Sequence, residues 1–257
     1  GYCVMNRSAT YNLVDHERRL LERFLQTPMD GLIVEGTKTA LPNPNIELYQ
    51  RLLEKNIPVV FINGCYPELG DCPHVVMDDV SGGELAAQTL MDAGHRRIAG
   101  LFKSDDMQGH NRCQGFSRAV LQRGLPLSDE AIGWFATENK ATYFEQEAGK
   151  RFLDMLGEMD ALVCYNDEMT LRLLDVLAAR GVSVPEWLSV VSFDNSSYAG
   201  VCRPRLTTLD HAKDEFGRRA GQLLLSRLRG ELTASAVLPW RLETRESVLN
   251  IGGENHA

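Results

Sequence analysis

The chain has 257 residues, 44% of them hydrophobic and 24% charged, which is ordinary folded-protein composition at a length that suggests two α/β lobes. Its 27 Lys and Arg against 35 Asp and Glu leave a formal net charge of -8, which excludes this stretch itself as a surface built to neutralise nucleic-acid phosphates. No apolar run approaches membrane-spanning length, and GYCVMNRSAT at the start lacks the basic and apolar segments of a secretory signal.

Short apolar runs alternate with amphipathic stretches, the pattern of repeated βα units around parallel sheets. In chain order the expected strands are Tyr2–Met5, Gly31–Val34, Val59–Ile62, Val75–Met77, Ile98–Phe102, Ile132–Phe135, Ala161–Cys164 and Leu188–Phe193. The helices expected among them are Asp15–Gln26, Ile46–Lys55, Gly82–Ala93, Arg112–Arg123, Glu145–Leu156, Glu168–Arg180 and Ala212–Arg229. A late stretch, Leu206–His211, and a strand over Val237–Leu242 would add crossings between lobes and so form a hinge. The resulting division is residues 1–95 for the N-terminal lobe, with part of it returned near 207–235, then 96–206 for the C-terminal lobe and 207–257 for the crossover and its completion.

The six cysteines, Cys3, Cys65, Cys72, Cys113, Cys164 and Cys202, show no CxxC pair, and Cys3 and Cys164 fall inside apolar runs where a thiol behaves as a small hydrophobe. A reducing cytoplasm is therefore the expected location. There is no phosphate-binding glycine loop, no GxSxG elbow and no HExxH, and the histidines are scattered, so neither a cofactor nor a metal is expected. An enzyme reading would have to rest on paired carboxylates such as Asp105 and Asp106, but neighbours on one loop rarely flank a scissile bond from opposite faces.

Polar residues gather instead at the carboxyl ends of the expected strands, where open α/β sheets bind ligands. These are Glu35 and Lys38, Asn63, then Lys103, Asp105, Asp106 and Gln108, followed by Glu138, Asn166 and Asp167, and Asp194 and Asn195. Carboxylates accept from hydroxyls, lysine and arginine donate, and amides do both, so the set suits a neutral polyol. Tyr66, Phe102, Tyr165 and Phe193 adjoin it and could offer an aromatic face to a sugar ring, although Phe102 and Phe193 also suit plain strand core.

The run Asp78-Asp79-Val80-Ser81-Gly82-Gly83 with Ala86-Ala87 and Leu90, the run Gly94–Gly100, Arg112-Cys113-Gln114-Gly115-Phe116, Tyr165-Asn166-Asp167, and Val184-Pro185 before Leu188–Asp194 together resemble the effector domains of lactose/purine-type repressors. The resemblance covers nearly the whole chain and implies the type I periplasmic-binding-protein fold, two Rossmann-like lobes with parallel sheets. Within that family, Asp30–Lys38, Asn43–Ile46 and Phe102–Gly109 are most similar to the arabinose repressors, winged-helix GntR-type regulators that carry such a sensing domain.

By that resemblance Arg112, at a helix start, would fork onto ligand oxygens, Asn166 and Asp194 would bond hydroxyls, and His211 would donate one hydrogen bond. Glu35, Lys38, Lys103, Gln108 and Asp106, with Asp105 as the alternative to Asp106, would complete the set, with no catalytic residue. Asp167 would be structural. Arg112→Ala or Asp194→Ala would abolish sugar binding and leave the fold intact.

The resemblance implies a repressor's sugar sensor, binding L-arabinose in the interlobe cleft and releasing operator DNA held by a separate N-terminal domain, with a homodimer in the complete protein and no membrane partner. The alternatives are a periplasmic sugar-capture protein of the same fold and a sensor for a different sugar. In the family a further strand and helix precede the strand matching Tyr2–Met5, and both are expected to lie outside these 257 residues.

Overall fold

The computed structural model describes Val4, residues 8–70 and residues 72–252. Its strands are β1 (Leu32–Glu35), β2 (Val59–Ile62), β3 (His74–Met77), β4 (Ile98–Lys103), β5 (Ile132–Phe135), β6 (Ala161–Cys164), β7 (Ser189–Asp194), β8 (Thr207–Asp210), β9 (Ala236–Leu238) and β10 (Arg241–Glu243). Its α-helices are α1 (Val14–Phe24), α2 (Ile46–Glu54), α3 (Asp79–Asp92), α4 (Met107–Gln122), α5 (Glu147–Met155), α6 (Asp167–Ala179) and α7 (Lys213–Leu228). The expected strand Tyr2–Met5 lies, apart from Val4, outside the described residues.

The chain divides into two compact units, one of Gly1–Val76, Asp105–Met107 and Lys213–Leu238 and the other of Met77–Ser104, Gln108–Ala212 and Pro239–Ala257. The first change of unit falls at Val76–Met77, and α3, which packs against β6 and β7, belongs with the second unit. The expected strand Val237–Leu242 is in fact two, β9 and β10, assigned to different units. Pro239 interrupts it, since proline has no N–H to give a ladder.

The first unit holds the sheet β1-β2-β3-β9, with β1 and β2 parallel and in register from Leu32–Val59 to Glu35–Ile62. Helix α7 packs on β1 and β2, and α1 packs on α2. Leu21, Leu48, Tyr49, Leu52, Val59, Phe61 and Tyr66 form its core. Among the described residues β1 is an edge strand, and Ile33 on it is 43% exposed.

A single buried carboxylate organises this unit. Glu17 of α1 is 1% exposed, and its two oxygens accept from the side-chain amides of Asn43 and Asn45, both at 2.8 Å, and from the Tyr49 hydroxyl at 2.8 Å. The Tyr66 hydroxyl lies 3.0 Å from Glu17 Oε1 and 2.8 Å from the Thr37 carbonyl, with one proton to share, and accepts from Thr37 N at 2.6 Å. Four separate chain segments thus meet at one side chain, which fixes the loop after β1.

Burial, and next to it the negative Glu17, raises the pKa of Tyr49 and of Tyr66 well above the usual tyrosine range. A folded-state pKa raised above the unfolded one contributes stability that is present below about pH 10 and lost as pH rises through the folded value. We therefore expect the urea midpoint to fall between about pH 8 and about pH 10.5 by more in the native protein than in Tyr49→Phe. An equal fall in both would remove Tyr49 as its source.

The second unit holds the sheet β10-β8-β7-β6-β4-β5, parallel throughout except for antiparallel β10 on β8. Strand β6 is buried at every position and β7 at all but Asp194, as strands covered on both faces are. Leu101, Phe152, Leu162, Met169, Leu173 and Val190 are among its core.

The Ser81–Gly83 and Arg112–Phe116 signatures have a common cause here. A Cβ on Gly83 would fall inside the contact distance of the Arg112 carbonyl oxygen, and one on Gly115 inside that of the Val80 carbonyl. Helices α3 and α4 therefore touch backbone to backbone, which only glycine permits. The start of α3 is set by Asp78, whose carboxylate accepts from Ser81 N at 3.1 Å and Ser81 Oγ at 2.7 Å. This places the helix start at Asp79, three residues earlier than the apolar pattern predicts.

Candidate functional site

In the second unit Tyr165, just after β6, Phe193, near the end of β7, and Trp240, just before β10, gather around Arg112. This residue is not at a helix start, as expected, but in the second turn of α4, which begins at Met107. It is 1% exposed. Its Nε donates to Asp79 Oδ1 at 2.8 Å and its Nη1 to the Tyr165 carbonyl at 2.6 Å. The guanidinium carbon lies 4.4 Å from the Phe193 ring centre, 4.8 Å from Tyr165 and 5.0 Å from Trp240, so three aromatic faces enclose the cation. Burial works against the charge, but Asp79, Tyr165 and Asp194 outweigh it and raise the pKa above that of a free arginine.

Around this centre stand three more of the expected site residues. Asp194, half-buried, ends β7 at φ 95° and acts electrostatically on Arg112. Asn166 caps α6, its Oδ1 accepting from Met169 N at 3.0 Å, so its side-chain oxygen is already engaged by the fold. His211 follows β8 and meets Trp240 edge-on, ring centres 5.5 Å apart. Trp240 falls inside the single strand expected over Val237–Leu242; Pro239 beside it is the one sign in the sequence that the chain turns there.

Asp167, beside Asn166, is a buried hub. Its Oδ2 accepts from Ser196 N at 2.6 Å and its Oδ1 from Thr208 Oγ1 at 2.8 Å. Burial raises its pKa, partly countered by those donors. Lys103 ends β4 and Gln108 lies in the first turn of α4, both half-buried. Glu138 is elsewhere: it lies in an exposed turn after β5, which is the outer strand of the sheet.

In the first unit Glu35 ends β1 and accepts from Asn63 Nδ2 at 2.9 Å across the parallel pair β1–β2. Lys38 adopts φ 47°, its amide donates to Asn12 Oδ1 at 2.7 Å, and its Nζ lies 3.9 Å from Asp105 Oδ2. Asp105 and Asp106 are both buried, and the Met107 amide donates to Thr39 Oγ1 at 3.1 Å.

Of the aromatic residues expected beside the site, Tyr66 belongs to the first unit's core with its hydroxyl held by Thr37 and Glu17, while Phe102 and Phe193 are fully buried. Tyr165 and Phe193 face the arginine. The arrangement offers fixed cations, carboxylates and amides at strand ends, which is the chemistry for hydrogen-bonding a polyhydroxylated ligand. Among the described residues no group of three or more His, Cys, Asp or Glu could hold a metal ion, and Cys65, Cys72, Cys113, Cys164 and Cys202 are free thiols. Burial pushes the Cys164 thiol up to about 12. Among the same residues no helix is long and apolar enough to cross a membrane.

Residues 87–248 match the model of the periplasmic binding protein-like domain. The chain is 43% identical over 232 residues to the arabinose metabolism transcriptional repressor of Halalkalibacterium halodurans, covering 90% of this chain and 61% of that protein. It is 33% identical over 242 residues to the HTH-type transcriptional regulator CelR of Thermobifida fusca, covering 91% and 67%. A solved structure of CelR in complex with cellobiose superposes with a TM-score of 0.78 at 30% identity, over 91% of this chain and 70% of that one. The chain thus spans about three-fifths of the arabinose repressor it matches. A lactose-repressor-type regulator fits these findings better than the winged-helix GntR type that the sequence resemblance implies. The chain belongs to the periplasmic binding protein-like domain family, as the kind of effector domain found in lactose-repressor-type regulators.

Proposed function

We propose that this chain is the sugar-sensing part of a bacterial transcription repressor and that its effector is L-arabinose. The observation that carries the reading is the buried Arg112, caged by Tyr165, Phe193 and Trp240, in a chain 43% identical to an arabinose metabolism repressor. Asp194 accepts from sugar hydroxyls, and Asn166, His211, Lys103 and Gln108, of the same unit, supply further bonds. The role is binding, with no bond made or broken.

The complete protein is a cytoplasmic homodimer whose separate DNA-binding domain holds the operator. The sugar lowers operator affinity only by the free energy with which it prefers one conformation of the regulator over the other.

Calorimetric titration with L-arabinose, D-xylose, D-ribose and D-galactose tests this reading. Saturable binding of L-arabinose alone is the expected result, and Asp194→Ala weakens it by about 2–5 kcal/mol while the protein stays folded. A folded chain that binds none of the four sugars overturns the reading. Selective binding of another pentose keeps the sensor and replaces its ligand.

A further inference from the structure

Two consecutive non-glycine residues, Asp194 and Asn195, have left-handed backbones at φ 95° and 43° at the carboxyl end of β7. Asp and Asn tolerate positive φ better than other L-residues, but φ 95° lies beyond the usual left-handed helical range, and a consecutive pair calls for surrounding contacts that hold it. Those contacts close around Asn195. Its backbone N–H donates to Thr208 Oγ1 at 3.3 Å, its Nδ2 donates to Asp210 Oδ1 at 2.9 Å, and its Oδ1 accepts from Arg245 Nη2 at 2.7 Å.

The clamp is itself anchored. Arg245 donates through Nη1 to the Leu206 carbonyl at 2.8 Å and through its amide to Thr207 Oγ1 at 2.9 Å. Asp210 Oδ2 accepts from Ala212 N at 3.1 Å, and Asp167 grips the next residue through Ser196 N at 2.6 Å. All these groups belong to the second unit. A plain loop after a strand needs none of this, whereas a carboxylate that must be in place before its ligand arrives does.

We propose that Asn195 and Arg245 are positioning residues: clamped between Asp210 and Arg245, Asn195 holds Asp194 in its left-handed conformation and so presents the Asp194 carboxylate to the sugar in advance. This rests on the sugar-binding reading above. The two residues act as one device on affinity, through Asp194, and touch no sugar themselves.

Glycine adopts positive φ without strain, so Asn195→Gly separates the backbone requirement from the clamp. L-Arabinose titration of the native chain, Asn195→Gly, Arg245→Gln and the double variant, each first shown folded by thermal melting, tests the proposal. Each single variant is expected to bind about tenfold more weakly, and the double variant no more weakly than either, because removing one side of the clamp already releases it. Should Arg245→Gln fail to fold, Arg245→Lys takes its place; a lysine cannot bridge Leu206 O and Asn195 Oδ1 with a planar fork. Native affinity in Asn195→Gly, or additive losses in the double variant, overturns the clamp and leaves the sugar reading standing. No binding of any of the four sugars by the native chain overturns both.

Discussion

Arg112→Met is expected to destabilise the protein by about 3–5 kcal/mol, the cost of breaking a buried ion pair from one side. Asp79, 4% exposed, would lose the guanidinium that compensates its buried carboxylate, and the Tyr165 carbonyl would lose its donor. The shapes of methionine and arginine are similar enough that the aromatic cage stays filled, so the loss is electrostatic. If so, Asp79→Leu combined with Arg112→Met recovers most of it, because removing both charges removes the desolvation penalty with them. Urea denaturation of the two single variants and the pair decides the matter: a double variant no more stable than Arg112→Met would place the cost in packing. The sequence alone leads to the expectation that Arg112→Ala spares the fold; the burial of this pair adds a loss of stability to be measured beside the loss of binding. Asp194→Ala remains the cleaner probe of binding, since Asp194 is half-buried at a strand end.

Glu17→Leu is the second large effect. The Tyr49 hydroxyl and the Asn43 amide lose their acceptor, whereas Asn45 Nδ2 keeps the Val14 carbonyl at 3.0 Å and Tyr66 keeps the Thr37 carbonyl. Two buried donors left without partners cost about 1–3 kcal/mol each, so the expected loss is about 2–6 kcal/mol. Glu17→Gln, which retains one acceptor oxygen, should lose distinctly less. Chemical denaturation of both variants checks the order, and equal losses would show that the charge of Glu17, and not its accepting oxygens, holds the unit together.

Strands β2, β5 and β6 begin and end at the residues the apolar pattern predicts; β2 and β6, buried among neighbours, are written as short apolar runs, and β5 keeps such a run at the sheet's edge. Helix α4 starts five residues before the pattern predicts. Met107–Asn111 has the composition of a polar loop, and what admits helix there is not local: Gly109 lets the first turn lie against the Lys103 backbone, and Thr39, 68 positions earlier, accepts from the Met107 amide. The break between β9 and β10, by contrast, is legible in the sequence itself, since Pro239 carries it.

The candidate site divides the same way. Strand-end position alone picks out Asn166 and Asp194, since a parallel sheet delivers every carboxyl end to one edge. It also picks out Glu138, which the strand order carries to the outer edge on β5. Glu17 leaves no trace, since a glutamate on an amphipathic helix reads as a solvated face until Asn43, Asn45, Tyr49 and Tyr66 are folded around it.

By itself, then, the sequence determined the fold class, most element positions and the family, because those depend on local periodicity and on glycines where helix backbones touch. Only the tertiary structure decided which charges are buried together, Arg112 with Asp79 and Glu17 with its four donors. The worth of a charge is set by what surrounds it after folding, and those surroundings come from residues far away along the chain.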